Sequence, residues 1–331
     1  MKTSMDPEVG TAERYRTFAE VEARGMSECY ESWARGVASD EKIRSLIDQL
    51  PGRKRQPNLV FSAARFNGAD AGDYPTFAIW LAEHWGEVKQ TCLTHATQTN
   101  EAARCAALLP VLAGIEGPVA LIEVGAAAGL CLHPDRYSYR YTLPDGRQHL
   151  VHPDAGPSDV VLKCTASGPV PLPDRMPQVV WRAGIDLNPL DASRESDVAW
   201  LDALIWPEHD DRRSRLRRAA DIARREPVEI VAGDLNVEIE QVVARAPAGA
   251  SVVVFHTVVL AYLDAESVAR FAATMAGLPV KWLANEAQGV VPGVMGRLPS
   301  PPRRSSDFVL SLDCEPLAFT QPHGRELHWL G

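Results

Sequence analysis

The chain predicts an α/β fold built on a doubly wound, mostly parallel sheet, and three observations carry that prediction. From residue 118 onward, short runs rich in Val and Ile alternate with helical segments. These runs lack strict polar–apolar alternation, as expected of strands covered on both faces. The first run, Val119 to Ile122, ends in Glu123 and is followed by Gly125 and Gly129. A buried strand that turns through a glycine loop into a helix presents that helix's N-terminus to a ligand.

Taken in order, the first hundred or so residues read as helical. Segments 11–24, 26–37 and 40–50 carry apolar residues at helical spacing, with Pro51-Gly52 as a stop. Further helices are expected at 58–67, 75–89 and 98–113. Strands are expected at 119–124, 179–185, 228–232, 251–256 and 280–284, with helices at 128–133, 196–225, 235–245 and 265–277 between them. This βαβα order implies a parallel sheet. The segment 135–178 reads as a β-rich insertion, with Asp145-Gly146 as a hairpin signal. Two last runs, 307–312 and 326–330, read as a C-terminal antiparallel hairpin joined through His323-Gly324. The organisation expected is an N-terminal helical region, 1–115, and a sheet domain, 116–331.

Composition narrows the function classes. A formal charge of −9 over 331 residues argues against a dedicated nucleic-acid binder and fits a small-molecule partner better. Six scattered cysteines without a CxxC pair suit reduced thiols rather than a disulfide framework or zinc site. No apolar leader stands at the N-terminus, and the apolar region around 108–132 is broken by Pro110, Glu116, Pro118 and Glu123. The expectation is a cytoplasmic protein without a membrane partner; composition leaves the oligomeric state open. His149, His152 and Asp154 are spaced so that strand residues three apart face opposite ways, so no metal is expected. There is no Walker loop and no Ser-His-Asp nucleophile motif.

The chemistry concentrates at strand ends. Glu123 closes the first strand, Asp186-Leu187 the second and Gly233-Asp234-Leu235 the third. An ionised carboxylate at the end of the second strand can accept both hydroxyls of a ribose, and an acid on the third can read an adenine edge. Three such acids in order, with Gly125, Ala126 and Gly129 in the first loop, point to a nucleoside-type ligand. His256 ends the fourth strand, either as a general base or as a histidine bonded to backbone. Glu286, after the fifth, is a candidate substrate contact or a solvated loop residue. Tyr137, Tyr139 and Tyr141 pack the insertion or form a substrate-recognition wall. Asn100 belongs to a polar cluster that caps a helix or lines the site.

These residues also carry a resemblance. Thr97-Gln98-Thr99-Asn100-Glu101 with Arg104-Cys105-Ala106, Glu123 to Leu130 with Asp135-Arg136-Tyr137, and Gly184-Ile185-Asp186-Leu187-Asn188-Pro189 resemble the bacterial family DUF2332. Trp200-Leu201, Trp206-Pro207-Glu208 and Val254-Phe255-His256 with Tyr262-Leu263 extend it along nearly the whole chain. The core of that family is similar to class I S-adenosylmethionine-dependent methyltransferases. The resemblance implies a Rossmann-like methyltransferase-type domain in which S-adenosylmethionine is held by Glu123, Gly125, Ala126, Gly129, Asp186, Leu187, Asp234 and Leu235. His256 would then face the transferred group, with Asn100, Tyr137 and Glu286 toward a small-molecule substrate. Two departures, Ala127 at the middle position of the loop and Cys131 where the family usually has Asn, favour the alternative: a non-catalytic binding or regulatory protein that keeps the scaffold.

Overall fold

Helices fill the first part of the chain. In the computed structural model, which describes residues 9–331, they are α1 (Thr11–Thr17, continued by a π-helical turn to Ala23), α2 (Glu28–Ser39), α3 (Glu41–Ile47), α4 (Pro57–Phe66), α5 (Tyr74–Glu83) and α6 (Trp85–Thr94). The single helix expected at 75–89 is therefore two, divided at His84. Side-chain caps set three of the starts: Ser27, Asp40 and Asp73 accept the backbone N–H of Tyr30, Ile43 and Thr76.

The backbone divides into two units: residues up to Thr99 with Arg194–Ser214, and Asn100–Ser193 with Arg215–Gly331. The division at 99/100 precedes the boundary expected at 115, and 194–214 belongs with the helices. Its aromatic residues explain why. Trp206 packs its ring 5.8 Å from both Phe18 and Tyr30 and donates to Asn58 Oδ1 at 2.9 Å. Trp200 donates to the Ala96 carbonyl at 3.1 Å. The core of this unit is aromatic, with Trp33 stacked on Phe77 at 3.8 Å and Phe61 edge-on to both.

The second unit begins with α7 (Cys105–Ala113) and is organised by one sheet of 11 strands. They are β1 (Pro118–Val124), β2 (Ser138–Thr142), β3 (Gln148–Val151), β4 (Val161–Ser167), β5 (Gln178–Asp186), β6 (Glu229–Ala232), β7 (Ser251–Thr257), β8 (Lys281–Ala287), β9 (Phe308–Leu312), β10 (Glu315–Thr320) and β11 (Glu326–Trp329). The remaining helices of the chain are α8 (Glu195–Ala203), which belongs to the first unit, α9 (Asp210–Arg225), whose start does, and α10 (Leu235–Val243) and α11 (Ala265–Gly277) of the second. Across the sheet the order is β3-β2-β4-β11-β10-β9-β8-β7-β1-β5-β6. Five neighbours, β6-β5-β1-β7-β8, are mutually parallel. On one face Ile122, Val124, Val254, Trp282 and Ala284 meet Leu235 and Ile239 of α10 and Phe271 and Met275 of α11. The strand expectations at 119–124, 179–185, 228–232, 251–256 and 280–284 all land on strands.

Three further expectations need correction. No α-helix follows the glycine loop at 128–133; two 3-10 turns, Leu130–Leu132 and Pro134–Arg136, stand there instead. Gly129 takes a left-handed φ of +71°, and Pro134 lacks the N–H a helix would need. The helix expected at 196–225 is two, α8 and α9, with Trp206-Pro207 between them. The terminal hairpin is a three-strand meander. β9 turns through Asp313-Cys314, both at positive φ (50° and 65°), into the unexpected β10, which pairs with β11. The insertion is β-rich as expected, with β2 and β3 paired across Asp145-Gly146. It joins the main sheet, because β4 pairs in parallel with β11. Among the described residues no helix is long and apolar enough to cross a membrane.

Candidate functional site

The C-terminal ends of the five parallel strands collect the acids that the sequence singles out, and they meet different fates. At the end of β5, Asp186 is half-buried and its orientation is fixed by backbone. Oδ2 accepts the Ala127 N–H at 2.8 Å, and Oδ1 accepts the Asn188 N–H at 2.8 Å. Next to it Leu187 is 67% exposed, an apolar side chain with no core to enter. At the end of β6, Asp234 is exposed and caps α10 by accepting the Asn236 N–H at 2.8 Å. Leu235, the first residue of α10, packs its side chain into the core with Ile239.

The glycine loop between Glu123 and Leu130 is closed on itself. Gly125 and Ala126 both donate to the Ile185 carbonyl, Ala127 to Asp186, and Gly129 to the Ala126 carbonyl. Asn100 clamps the two ends: its amide donates to Ala126 O at 3.2 Å and accepts from Leu130 N at 3.1 Å. Ala127 occupies the middle position at φ +50°, a left-handed conformation uncommon for a residue with a Cβ. Ala126 is fully buried, and its Cβ would lie 2.7 Å from a Cβ added at Gly184, which explains that glycine. Most backbone donors of the loop are thus engaged within the protein.

Glu123 is 2% exposed, and its Oε2 has no hydrogen-bond partner. Burial pushes its carboxyl well above the usual range; nearby Cys131 adds to the rise, and Arg104 opposes it. Register places Glu123 level with Phe255 of β7, which is level with Leu283 of β8. Side chains alternate along a strand. Glu123, Thr257 and Asn285 therefore share one face of the sheet, and His256 and Glu286 the other. On the first face Arg104 donates to Thr257 O at 2.9 Å, to Thr257 Oγ1 at 3.1 Å and to Pro322 O at 3.0 Å. Asn285 accepts from the Thr320 hydroxyl at 2.6 Å, while its Nδ2 has no partner. Beneath the loop Glu101 is held by Arg215 at 2.8 Å and 3.2 Å, and Cys131 Sγ donates to Glu101 O at 3.4 Å.

On the opposite face, His256 is completely buried between two partners. The Trp282 indole N–H, which can only donate, lies 2.8 Å from Nε2. Nε2 is therefore the acceptor, and Nδ1–H donates to Glu286 Oε1 at 2.7 Å. Both ring nitrogens are engaged by side chains, so His256 is neither bonded to backbone nor turned toward the strand-end edge as a general base would be. Glu286 is not a solvated loop residue either: it is buried, and the same Oε1 accepts the N–H of Val259 at 2.7 Å and of Leu260 at 3.0 Å. Its Oε2 has no partner.

Tyr137 follows the packing alternative and not the substrate-contact one. Its ring is fully buried, its hydroxyl donates to Leu130 O at 2.6 Å, and it acts as a strut for the glycine loop instead of a substrate wall. Tyr139 and Tyr141 stack and donate to Pro134 O and Ala106 O. His149 lies against Pro173 O and His152 against Ser138 Oγ. Among the described residues no three His, Cys, Asp or Glu side chains come together as a metal site requires.

The structure therefore brings Asn100, Glu123, Gly125, Ala126, Gly129 and Asp186 together, puts Leu187 and Asp234 at the exposed rim, and takes Tyr137, Leu235, His256 and Glu286 into the interior. Sequence reasoning missed Trp282 and Val259, which carry no local signal. It also missed the role of Arg104, which stands in one of the quoted motifs. The family model of an uncharacterized protein conserved in bacteria, DUF2332, matches residues 12–329. The chain belongs to DUF2332. The match spans both units, so the helices and the sheet are together what the DUF2332 pattern describes. Neither the curated proteins nor the solved structures contain a match to the chain.

Proposed function

We propose that this DUF2332 protein binds S-adenosylmethionine at the C-terminal edge of β5 and β1 and transfers its methyl group to a small molecule. The observation that carries the reading is Asp186: a half-exposed carboxylate at a parallel strand end, aimed by the Ala127 and Asn188 N–H groups, with exposed Leu187 beside it. A carboxylate so held can accept ribose hydroxyls while the leucine covers a face of the base. The order β6-β5-β1-β7-β8 supports a nucleoside-type ligand, because a doubly wound sheet with its switch point beside β1 takes such ligands at its strand ends. Asp234 stands at the next strand end, where an adenine edge would lie.

Bound there, the cofactor supplies a methyl group already activated on sulfur. The chain's part is to orient and to exclude water, and alignment alone carries much of the rate of such a transfer. His256, with both ring nitrogens engaged inside the protein, is not the group that takes up a proton released by the acceptor.

The experiment is calorimetric titration of the full chain with S-adenosylhomocysteine. Binding is expected to weaken at least tenfold in Asp186→Ala. A folded protein that binds nothing at millimolar ligand overturns the reading. A second reading, a non-catalytic protein keeping the scaffold, is favoured by one observation, the internally bonded loop with Ala127 at its centre. Binding without methyl transfer to any acceptor from a small-molecule panel would decide for it.

A further inference from the structure

The connection after β7 is strained, fixed, and pressed against a glycine. Val258 holds φ +59°, a left-handed conformation that a β-branched residue adopts only when its surroundings enforce it. The enforcing bonds are explicit. Val258 N–H donates to Asn285 O at 3.0 Å, and Val259 and Leu260 N–H both donate to Glu286 Oε1. Glu286 is oriented by His256, and His256 by Trp282. The result is seen at Val259. Its Cγ atoms lie 2.5 Å and 3.1 Å from where a Cβ on Gly125 would stand. The space that this glycine leaves is taken by a side chain of the protein itself.

The place matters. β1 lies between β5 and β7, so the sheet grows in opposite directions from it, and the crevice above β1 and β7 is where an open α/β sheet takes ligands. A nucleoside held at Asp186 sits one strand spacing, about 4.8 Å, from β1 and two, about 9.6 Å, from β7. Val259, on the connection that leaves β7, packs against Gly125 at the end of β1, on the side of Asp186 that faces β7.

We infer that Val259 is a plug in this crevice, held by the Trp282–His256–Glu286 chain, and that it determines whether the site admits a nucleoside bearing an amino-acid tail. The choice of ligand rests on the function proposed above; the plug and its support do not. Glu286 and His256 are positioning residues that act through residues 258–260.

Three measurements test it. The first needs no ligand. Gly125→Ala should lower the melting temperature, and adding Val259→Ala should recover about half of that loss; no recovery overturns the contact. The second is hydrogen exchange by mass spectrometry in Glu286→Gln and Trp282→Phe. Exchange should accelerate about tenfold in 257–262 and 124–130 and stay unchanged in β6. Equal acceleration throughout the sheet, or none, reduces the chain to general support and overturns the inference. The third compares S-adenosylhomocysteine with 5′-methylthioadenosine, which lacks the amino-acid tail. Val259→Ala should tighten the first about tenfold and leave the second within twofold; equal effects on both overturn the specificity. If neither ligand binds any variant while the first two results hold, the nucleoside reading fails and the plug stands.

Discussion

Two sets of strand-end acids face the same edge of one sheet and behave oppositely. At β5 and β6, Asp186 and Asp234 are half-buried or exposed and accept backbone N–H groups, Asp186 from the glycine loop and its own turn, Asp234 from the first turn of α10. At β1 and β8, Glu123 and Glu286 are buried, each with one oxygen lacking a partner, and Glu286 gathers three donors on the other. Sequence position alone makes the four look equivalent. Burial separates a rim suited to meeting a ligand from an interior that holds loops in place.

That contrast is open to direct attack. The largest effect is expected from Glu286→Ala, which leaves the His256 N–H and two loop N–H groups without their acceptor in a dry interior. It should cost about 3 kcal/mol or more in denaturant unfolding; a loss below about 1 kcal/mol would place Glu286 with the rim acids. Asp186→Ala should cost less stability, about 1–2 kcal/mol for two backbone hydrogen bonds, while losing ligand affinity. The reverse pattern would make Asp186 structural. Glu123→Gln probes the interior by pH. A carboxyl whose folded pKa is raised contributes stability that is fully present below its unfolded value and is lost as pH rises toward the folded one. The variant should therefore melt above the parent at pH 8, and the gap should close toward pH 4; a gap independent of pH would exclude Glu123 as its source. The smallest change is Asp234→Ala, about 1 kcal/mol for a lost helix cap, with a smaller loss of affinity than Asp186→Ala.

The parallel strands were legible because Val and Ile runs buried on both faces leave an unbroken apolar signature. β10 was not. Pro316 interrupts its strand character, and the turn before it places two non-glycine residues at positive φ, so no Asn-Gly signal marks it. In the site, the sequence could locate Asp186 and Gly125 but not say what fills the space a glycine leaves. A missing Cβ serves a ligand and a neighbouring valine equally well, and only the fold brings Val259 there. His256 was misread for a related reason: its two partners, Trp282 and Glu286, are 26 and 30 residues away and become visible only when β7 and β8 pair.

The position of β11 bears on the order in which the molecule can be made. Residues 326–328 pair with 165–167, so the outer strands β4, β2 and β3 join the parallel core only through a segment made some 160 residues later. A nascent chain can complete the helices of the first unit and pair β1 with β5 early, while the open edge of β4 waits for the ribosome to deliver β11. Until then that edge is an unpaired template of the kind that recruits foreign strands. Chaperone demand should therefore peak late in synthesis, after most of the hydrophobic core has already been translated.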